Sequence, residues 1–186
     1  MKIQNLLKEG QKKLKNSIND SYQLDSEVLM SKILHKKREF ILLNLEKEVD
    51  IQKSNIFINL VNQRSQGKPI AYLMGKKDFW KYEFNVSKDV LIPRPDTELI
   101  IEKVLELTKH KSKLNILDIG VGSGCILLSI LKEKPYFNGI GVDLSKKCLD
   151  ISKINALKLG IKNRVKFFKS DIDNFNYGKY DLIISN

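Results

Sequence analysis

Residues 114–124 read Leu-Asn-Ile-Leu-Asp-Ile-Gly-Val-Gly-Ser-Gly. A short apolar run ends at Asp118. Glycines then fall at 120, 122 and 124, and an apolar pattern with helical spacing follows. This order predicts a buried strand that enters a tight turn at a helix N-terminus. Glycine tolerates backbone angles forbidden to other residues and lets a ligand come close to the main chain. The first N–H groups of the helix and the positive end of its dipole complete a polar cradle. Gly120, Val121, Gly122, Ser123 and Gly124 are therefore expected to hold a nucleotide-like ligand.

Downstream, the pattern alternates. Strands are predicted at 114–119, 138–143, 165–169 and 180–185. Helices are predicted at 123–133, 146–159 and, more weakly, 172–177. Strands alternating with helices imply a parallel sheet with crossover connections, an α/β fold of Rossmann-like kind. Asp143 ends the second strand about twenty residues past the glycines, where such folds place an acid on ribose hydroxyls. The same position suits a cap for the helix that starts near Ser145, and the two roles are compatible. Asp171 follows the third strand, at the edge that faces the ligand crevice. Ser-Asp-Ile-Asp-Asn is also good turn chemistry.

Upstream, residues 1 to about 67 read as helices. Ile3, Leu6, Leu7, Leu14 and Ile18 recur near helical spacing. Asp25 or Ser26 is placed to cap a second helix carrying Val28, Leu29, Ile33 and Leu34. A third segment covers 38–45. A fourth runs from about 51 to 66, with Ile56, Phe57, Leu60 and Val61 on one face, and ends at Gly67 and Pro69. Between 74 and 92 the chain is aromatic and β-branched, interrupted by Ser-Lys-Asp at 87–89, and reads as two strands of a hairpin. Ile-Pro-Arg-Pro-Asp-Thr-Glu at 92–98 is an extended piece leading into a helix at about 97–109, capped by Asp96 or Thr97. The expected organisation is a helical domain at 1–73, a hairpin linker at 74–96 and an α/β domain at 97–186.

The bulk numbers exclude several classes. In 186 residues, 42% hydrophobic and 30% charged, there is enough apolar surface for a core. No apolar run reaches the roughly 18 residues of a membrane helix, and the N-terminus lacks a signal-peptide core. Two cysteines, Cys125 and Cys148, are too few for a disulfide framework or zinc cluster, so a cytoplasmic location is expected. The net charge is +11, yet only four of the 33 basic residues are arginine, the residue that reads phosphates by a fork. The lysines are scattered among acids. A solvated surface accounts for them better than a nucleic-acid face, and nucleic acid is not required. His35 and His110 are expected at the surface. No Ser-His-Asp or metal-ligating constellation is present, and a monomer is expected.

The glycine spacing narrows the ligand. Dinucleotide folds use Gly-x-Gly-x-x-Gly. Here the third glycine comes one residue early, and Asp118 sits two residues before the first. Asp-x-Gly-x-Gly-x-Gly resembles the first motif of class I S-adenosylmethionine-dependent methyltransferases. An acid beside the loop suits that cofactor's cationic sulfonium and amino-acid tail better than a pyrophosphate. The resemblance implies that Asp143 binds the ribose, that Asp171 meets the adenine amino group and that its neighbour Ile172 packs on the ring.

Further residues refine the resemblance. Arg64-x-x-Gly67-x-Pro69-x-x-Tyr72-x-x-Gly75, then Phe79, Phe84 and Val86, then Leu91-Ile-Pro-Arg-Pro-Asp-Thr-Glu98, looks like the HemK/PrmC family, the release-factor glutamine methyltransferases. The match spans nearly the whole chain. The last strand, Tyr180-Asp-Leu-Ile-Ile-Ser-Asn186, ends where amino-methyltransferases carry Asn-Pro-Pro-Tyr. There the asparagine and proline carbonyls accept the substrate's N–H bonds and turn its nitrogen lone pair toward the methyl group. That is catalysis by positioning and electrostatics. The resemblance implies that Asn186 is the catalytic residue and touches both cofactor and substrate. It implies methylation of the glutamine amide in the Gly-Gly-Gln loop of peptide-chain release factors, which the helical domain would help dock. Ile-Pro-Arg-Pro would wall the active site. Arg94 is left with a direct substrate role or a structural one.

Family members continue with three further strands, so the chain is expected to be a fragment, a split or decayed gene product, or the front of a longer protein. Alone it is expected to bind S-adenosylmethionine weakly and to lack methyltransferase activity. A nucleic-acid amino-methyltransferase and a non-catalytic remnant that binds cofactor are the alternatives.

Overall fold

The computed structural model describes residues 1–17 and 20–186 and divides into two compact units, Met1–Met74 and Gly75–Asn186. The first unit is helical: α1 (Ile3–Lys15), α2 (Tyr22–Leu34), α3 (Arg38–Leu43), α4 (Ile51–Ser65) and α5 (Ile70–Met74). Ile3, Leu6, Leu14, Leu29, Met30 and Phe57 are fully buried where α1, α2 and α4 meet. Ile18 lies outside the described residues.

Three expectations here are corrected. Asp25 and Ser26 do not cap α2; they lie inside it, and both are buried. Ser26 stands at the close approach of α1, where a Cβ on Gly10 would come within 2.9 Å of its Oγ. Asp25 Oδ2 accepts from Arg64 Nε at 2.6 Å, and Arg64 Nη1 also donates to the Lys68 carbonyl. The Arg64 of the interdomain signature thus ties α2 to the end of α4. Ile56 is half exposed, and the packed face of α4 carries Phe57 and Val61. The helix α5, directly after Pro69, was not expected. Its end is held by Lys32 Nζ, which donates to the carbonyls of Leu73 and Met74.

The second unit begins with a hairpin, β1 (Lys76–Phe79) antiparallel to β2 (Tyr82–Asn85). After a 3₁₀ turn at Pro95–Thr97 come α6 (Glu98–Leu107), β3 (Asn115–Ile119), α7 (Cys125–Glu133), β4 (Asn138–Asp143), α8 (Lys146–Lys158), β5 (Val165–Lys169) and β6 (Leu182–Ser185). The sheet is parallel with order β5-β4-β3-β6. From β3 the chain steps outward through β4 to β5, then returns to place β6 on the other side of β3. That reversal opens a crevice outside the carboxyl ends of β3 and β6, where open α/β sheets bind ligands. Ile119 pairs with Ser185, so the glycine loop and Asn186 leave the sheet side by side.

The core lies between α7 and one face of the sheet: Ile116, Ile184, Leu127, Leu128, Leu131 and Phe137. Glycines at 139 and 141 let α7 and its neighbours come down onto β4; a Cβ at Gly139 would sit 2.8 Å from Leu127 Cδ1. Phe79 and Phe84 of the hairpin join this core, with their rings edge to face at 6.2 Å.

The hairpin turn is not at 87–89. It is the pair Trp80-Lys81, and both strands precede the interruption. Trp80 has φ +56, an uncommon conformation for a bulky residue. Its N–H donates to Glu98 Oε1 at 2.7 Å and its indole to Glu133 Oε1 at 3.0 Å. Tyr82 Oη and Lys81 Nζ also reach Glu133. Long-range bonds therefore fix a turn that local chemistry did not announce. No helix forms at 172–177; Asp171 and Asn174 close a turn there instead, as Asn and Asp do when their side chains compete for the backbone. Helix α7 begins at Cys125, two residues later than expected, because Gly124 is still left-handed.

Candidate active site

The loop after β3 has φ +73 at Gly120, +55 at Gly122 and +80 at Gly124. Left-handed angles at alternate residues are available to glycine at little cost and strained for anything larger. The N–H groups of Gly120 and Val121 donate to the Val142 carbonyl at 2.9 and 3.0 Å. A Cβ at Gly120 would meet nothing within 4 Å, so the main chain there borders open space. The first turn of α7 starts at this loop, and its Leu127 N–H donates to the Asp118 carboxyl.

Asp143, at the end of β4, fastens this loop. Its Oδ2 accepts from Gly122 N–H at 3.0 Å and its Oδ1 from Ser145 N–H at 2.8 Å. The helix cap itself is Ser145, whose Oγ accepts from Cys148 N–H. Each carboxylate oxygen can accept more than one hydrogen bond, so Asp143 keeps acceptor capacity for a ligand.

Asp118 lies near the end of β3. It is 2% exposed, and burial pushes its carboxyl up to about 8, with the Asp143 charge adding to the effect. Burial therefore favours its protonated form. A cation brought beside it would favour the ionised form. Cys125, at the start of α7, is pushed up to about 11 by burial, which makes it a poor nucleophile.

Two clefts flank the glycine loop. One, of about 260 Å³, is lined by Ile119, Gly120, Asp143, Leu144, Asp171 and Ile172. Leu144 and Ile172 are 69% and 43% exposed there. Asp171 accepts from the N–H and Nδ2 of Asn174, which holds its carboxyl below the usual range. The smaller cleft gathers Asp118, Gly120, Gly122, Ser123, Cys125, Pro93, Arg94, Thr97 and Asn186. The structure thus brings Arg94 and Asn186 to the glycine loop, and Asp143 with Asp171 and Ile172 to its other side.

Thr97 was expected only as a helix cap. It makes no cap bond; its buried hydroxyl accepts from Asn186 Nδ2 at 3.3 Å. That bond assigns the Asn186 nitrogen to the protein and leaves its carbonyl oxygen for the cleft. Leu144 was also missed, although a leucine directly after the strand-end acid is a readable signal. The contacts of Thr97 join residues 89 apart and leave no local trace in the sequence.

A glycine loop at the switch point of a parallel sheet, with acids after adjacent strands, is the arrangement of a nucleotide-type cofactor site, and the family model described as a methyltransferase domain matches residues 110–186. The model described as the PrmC N-terminal domain matches residues 5–75. A release factor glutamine methyltransferase of Buchnera aphidicola is 41% identical over 186 residues, all of this chain and 66% of that protein. One of Clostridium botulinum is 36% identical, over all of this chain and 67% of its own length. A bifunctional methyltransferase of Rickettsia conorii is 33% identical over 99% of this chain and 40% of that protein. The chain belongs to the release factor glutamine methyltransferase family. It spans about two thirds of the length of the release factor glutamine methyltransferases it matches.

Proposed function

We propose that the protein transfers a methyl group from S-adenosylmethionine to the glutamine side-chain amide in the Gly-Gly-Gln loop of peptide-chain release factors. The observation that carries this reading is the shared cleft of Asn186, Arg94 and the glycine loop.

The residues fit the cofactor. Gly120 and Gly122 leave space where side chains would stand, Asp143 offers acceptors for two hydroxyls, and Asp118 can answer a cation by releasing its proton. Leu144 and Ile172 supply apolar surface for a ring, with Asp171 at its edge. When bound, S-adenosylmethionine supplies an electrophilic methyl group on a sulfonium.

An amide nitrogen is a weak nucleophile because its lone pair is shared with the carbonyl. Asn186 Oδ1 accepts a substrate N–H and holds the nitrogen in one orientation, while Thr97 keeps the Asn186 amide from turning over. No covalent intermediate on the protein is required; orientation and local dipoles lower the barrier. Arg94 borders the entrance and suits backbone carbonyls of an incoming loop. The helical unit serves to dock the release factor.

The test is mass spectrometry of the Gly-Gly-Gln peptide of a release factor after incubation with the protein and S-adenosylmethionine. The expected result, with these residues supplied within a protein of the relatives' full length, is a gain of one methylene on the glutamine, lost in Asn186→Ala; the 186 residues alone are expected to give little or none. An unmodified peptide alongside methylated DNA would overturn the reading in favour of a nucleic-acid enzyme.

A further inference from the structure

Asn155 lies inside α8, is 0% exposed, and has no part in the chemistry above. Its Oδ1 accepts from Asn85 N–H at 2.7 Å. Its Nδ2 donates to the carbonyls of Asn85 at 3.0 Å and Ser123 at 2.8 Å. Three residues earlier on the same helix face, Ser152 Oγ donates to the Gly122 carbonyl at 2.8 Å. Asparagine is a poor helix former, and burying an amide is costly unless its hydrogen bonds are made. Here both amide hydrogens and the oxygen are engaged.

The partners of Asn155 belong to two different parts of the site. Asn85 ends β2 and leads into the segment that carries Arg94 and Thr97. Ser123 is in the glycine loop. In a trans peptide the C=O and the following N–H point to opposite sides. Bonding the Gly122 carbonyl to α8 therefore turns the Ser123 N–H away from α8, on a residue that lines the cleft. Bonding the Ser123 carbonyl to Asn155 turns the Gly124 N–H the other way, where it meets the Val121 carbonyl at 2.8 Å.

We propose that Asn155 is a positioning residue that locks the hairpin and the glycine loop into one arrangement, so that the substrate side and the cofactor side of the cleft are set by the same buried amide. What the loop holds rests on the cofactor reading above; the coupling itself does not.

Amide hydrogen exchange in the ligand-free protein separates the two. Asn155→Ala should speed exchange at least about fivefold at Gly122, Gly124 and Asn85 together, since each lost bond contributes about 1 kcal/mol, while β3 and β4 amides stay protected. Lys158→Ala is the control. Lys158 joins the same helix to the same hairpin through Glu83 at 2.7 Å and is not among the groups that bond the loop. It should loosen the hairpin amides alone. Faster exchange at Asn85 with Gly122 and Gly124 unchanged would overturn the proposal, as would an equal rise across the whole sheet. Calorimetry with S-adenosylhomocysteine then reads the consequence: affinity weaker by about tenfold in Asn155→Ala and unchanged in Lys158→Ala. An absence of heat with the unaltered protein would overturn the cofactor reading, and the exchange data would still decide the coupling.

Discussion

Asp143 and Asp171 stand at the carboxyl ends of neighbouring strands, and the sequence reads them alike. Asp143 bonds a glycine amide 21 residues away across the crevice. The Asp171 carboxyl bonds Asn174, three residues on, and the backbone of its own exposed turn. The loop that Asp143 holds is also gripped from behind by Ser152 and Asn155. One flank of the crevice is thus fixed before a ligand arrives, and the other is shaped by local turn chemistry. Long-range bonds cost their ordering entropy on folding, not on binding, which is the advantage of a pre-set site.

The comparison breaks if the two acids prove equivalent. Asp143→Ala should weaken S-adenosylhomocysteine binding by about a hundredfold in calorimetry, since it removes charged acceptors worth about 1.5–3 kcal/mol each. Thr97→Val sharpens the difference within the fixed flank. With its acceptor gone, the Asn186 amide can turn over, and turnover on a release factor should fall about tenfold while cofactor affinity is unchanged. Equal losses in both would assign Thr97 to the fold alone.

Asp118 gives a pH signature. Its folded carboxyl sits near 8 against 3.8 for the ordinary group, so the folded state holds the proton more tightly. Its contribution to stability is complete below 3.8 and is lost as pH rises through about 8. Melting temperature followed across that window should fall less steeply in Asp118→Asn; identical slopes would show that Asp118 does not titrate in it. The smallest effect is expected at Asp171→Ala, with S-adenosylhomocysteine affinity down about threefold or less, because its present bonds are local and exposed.

Much of the α/β unit is legible in the chain. The runs at 114–119, 138–143 and 165–169 become strands at nearly those bounds, because short apolar stretches bracketed by glycine and charge have few other ways to be buried. The hairpin between 74 and 92 is legible as strands but not as a turn. Trp80 occupies a left-handed position only because Glu98 and Glu133 hold it there. The same cause hides the place of Asp25. A carboxylate one turn into a helix looks like a cap until Arg64 arrives from another helix. At 172–177 the periodic apolar residues suggest a helix, yet Asp171 and Asn174 satisfy one another first.

The glycine spacing with Asp118 and Asp143, together with the signature from Arg64 to Glu98, determined the family. Those features are local or nearly so: left-handed turns, strand ends and proline-fixed segments follow from a residue and its neighbours. The tertiary structure decided what the residues do for one another. It set β6 beside β3 so that Asn186 meets the glycine loop, turned Thr97 from a cap into a partner for that asparagine, raised Asp118 by burying it, and ran the hairpin and the loop to one amide at Asn155. Those outcomes depend on burial and on contacts between residues far apart in the chain.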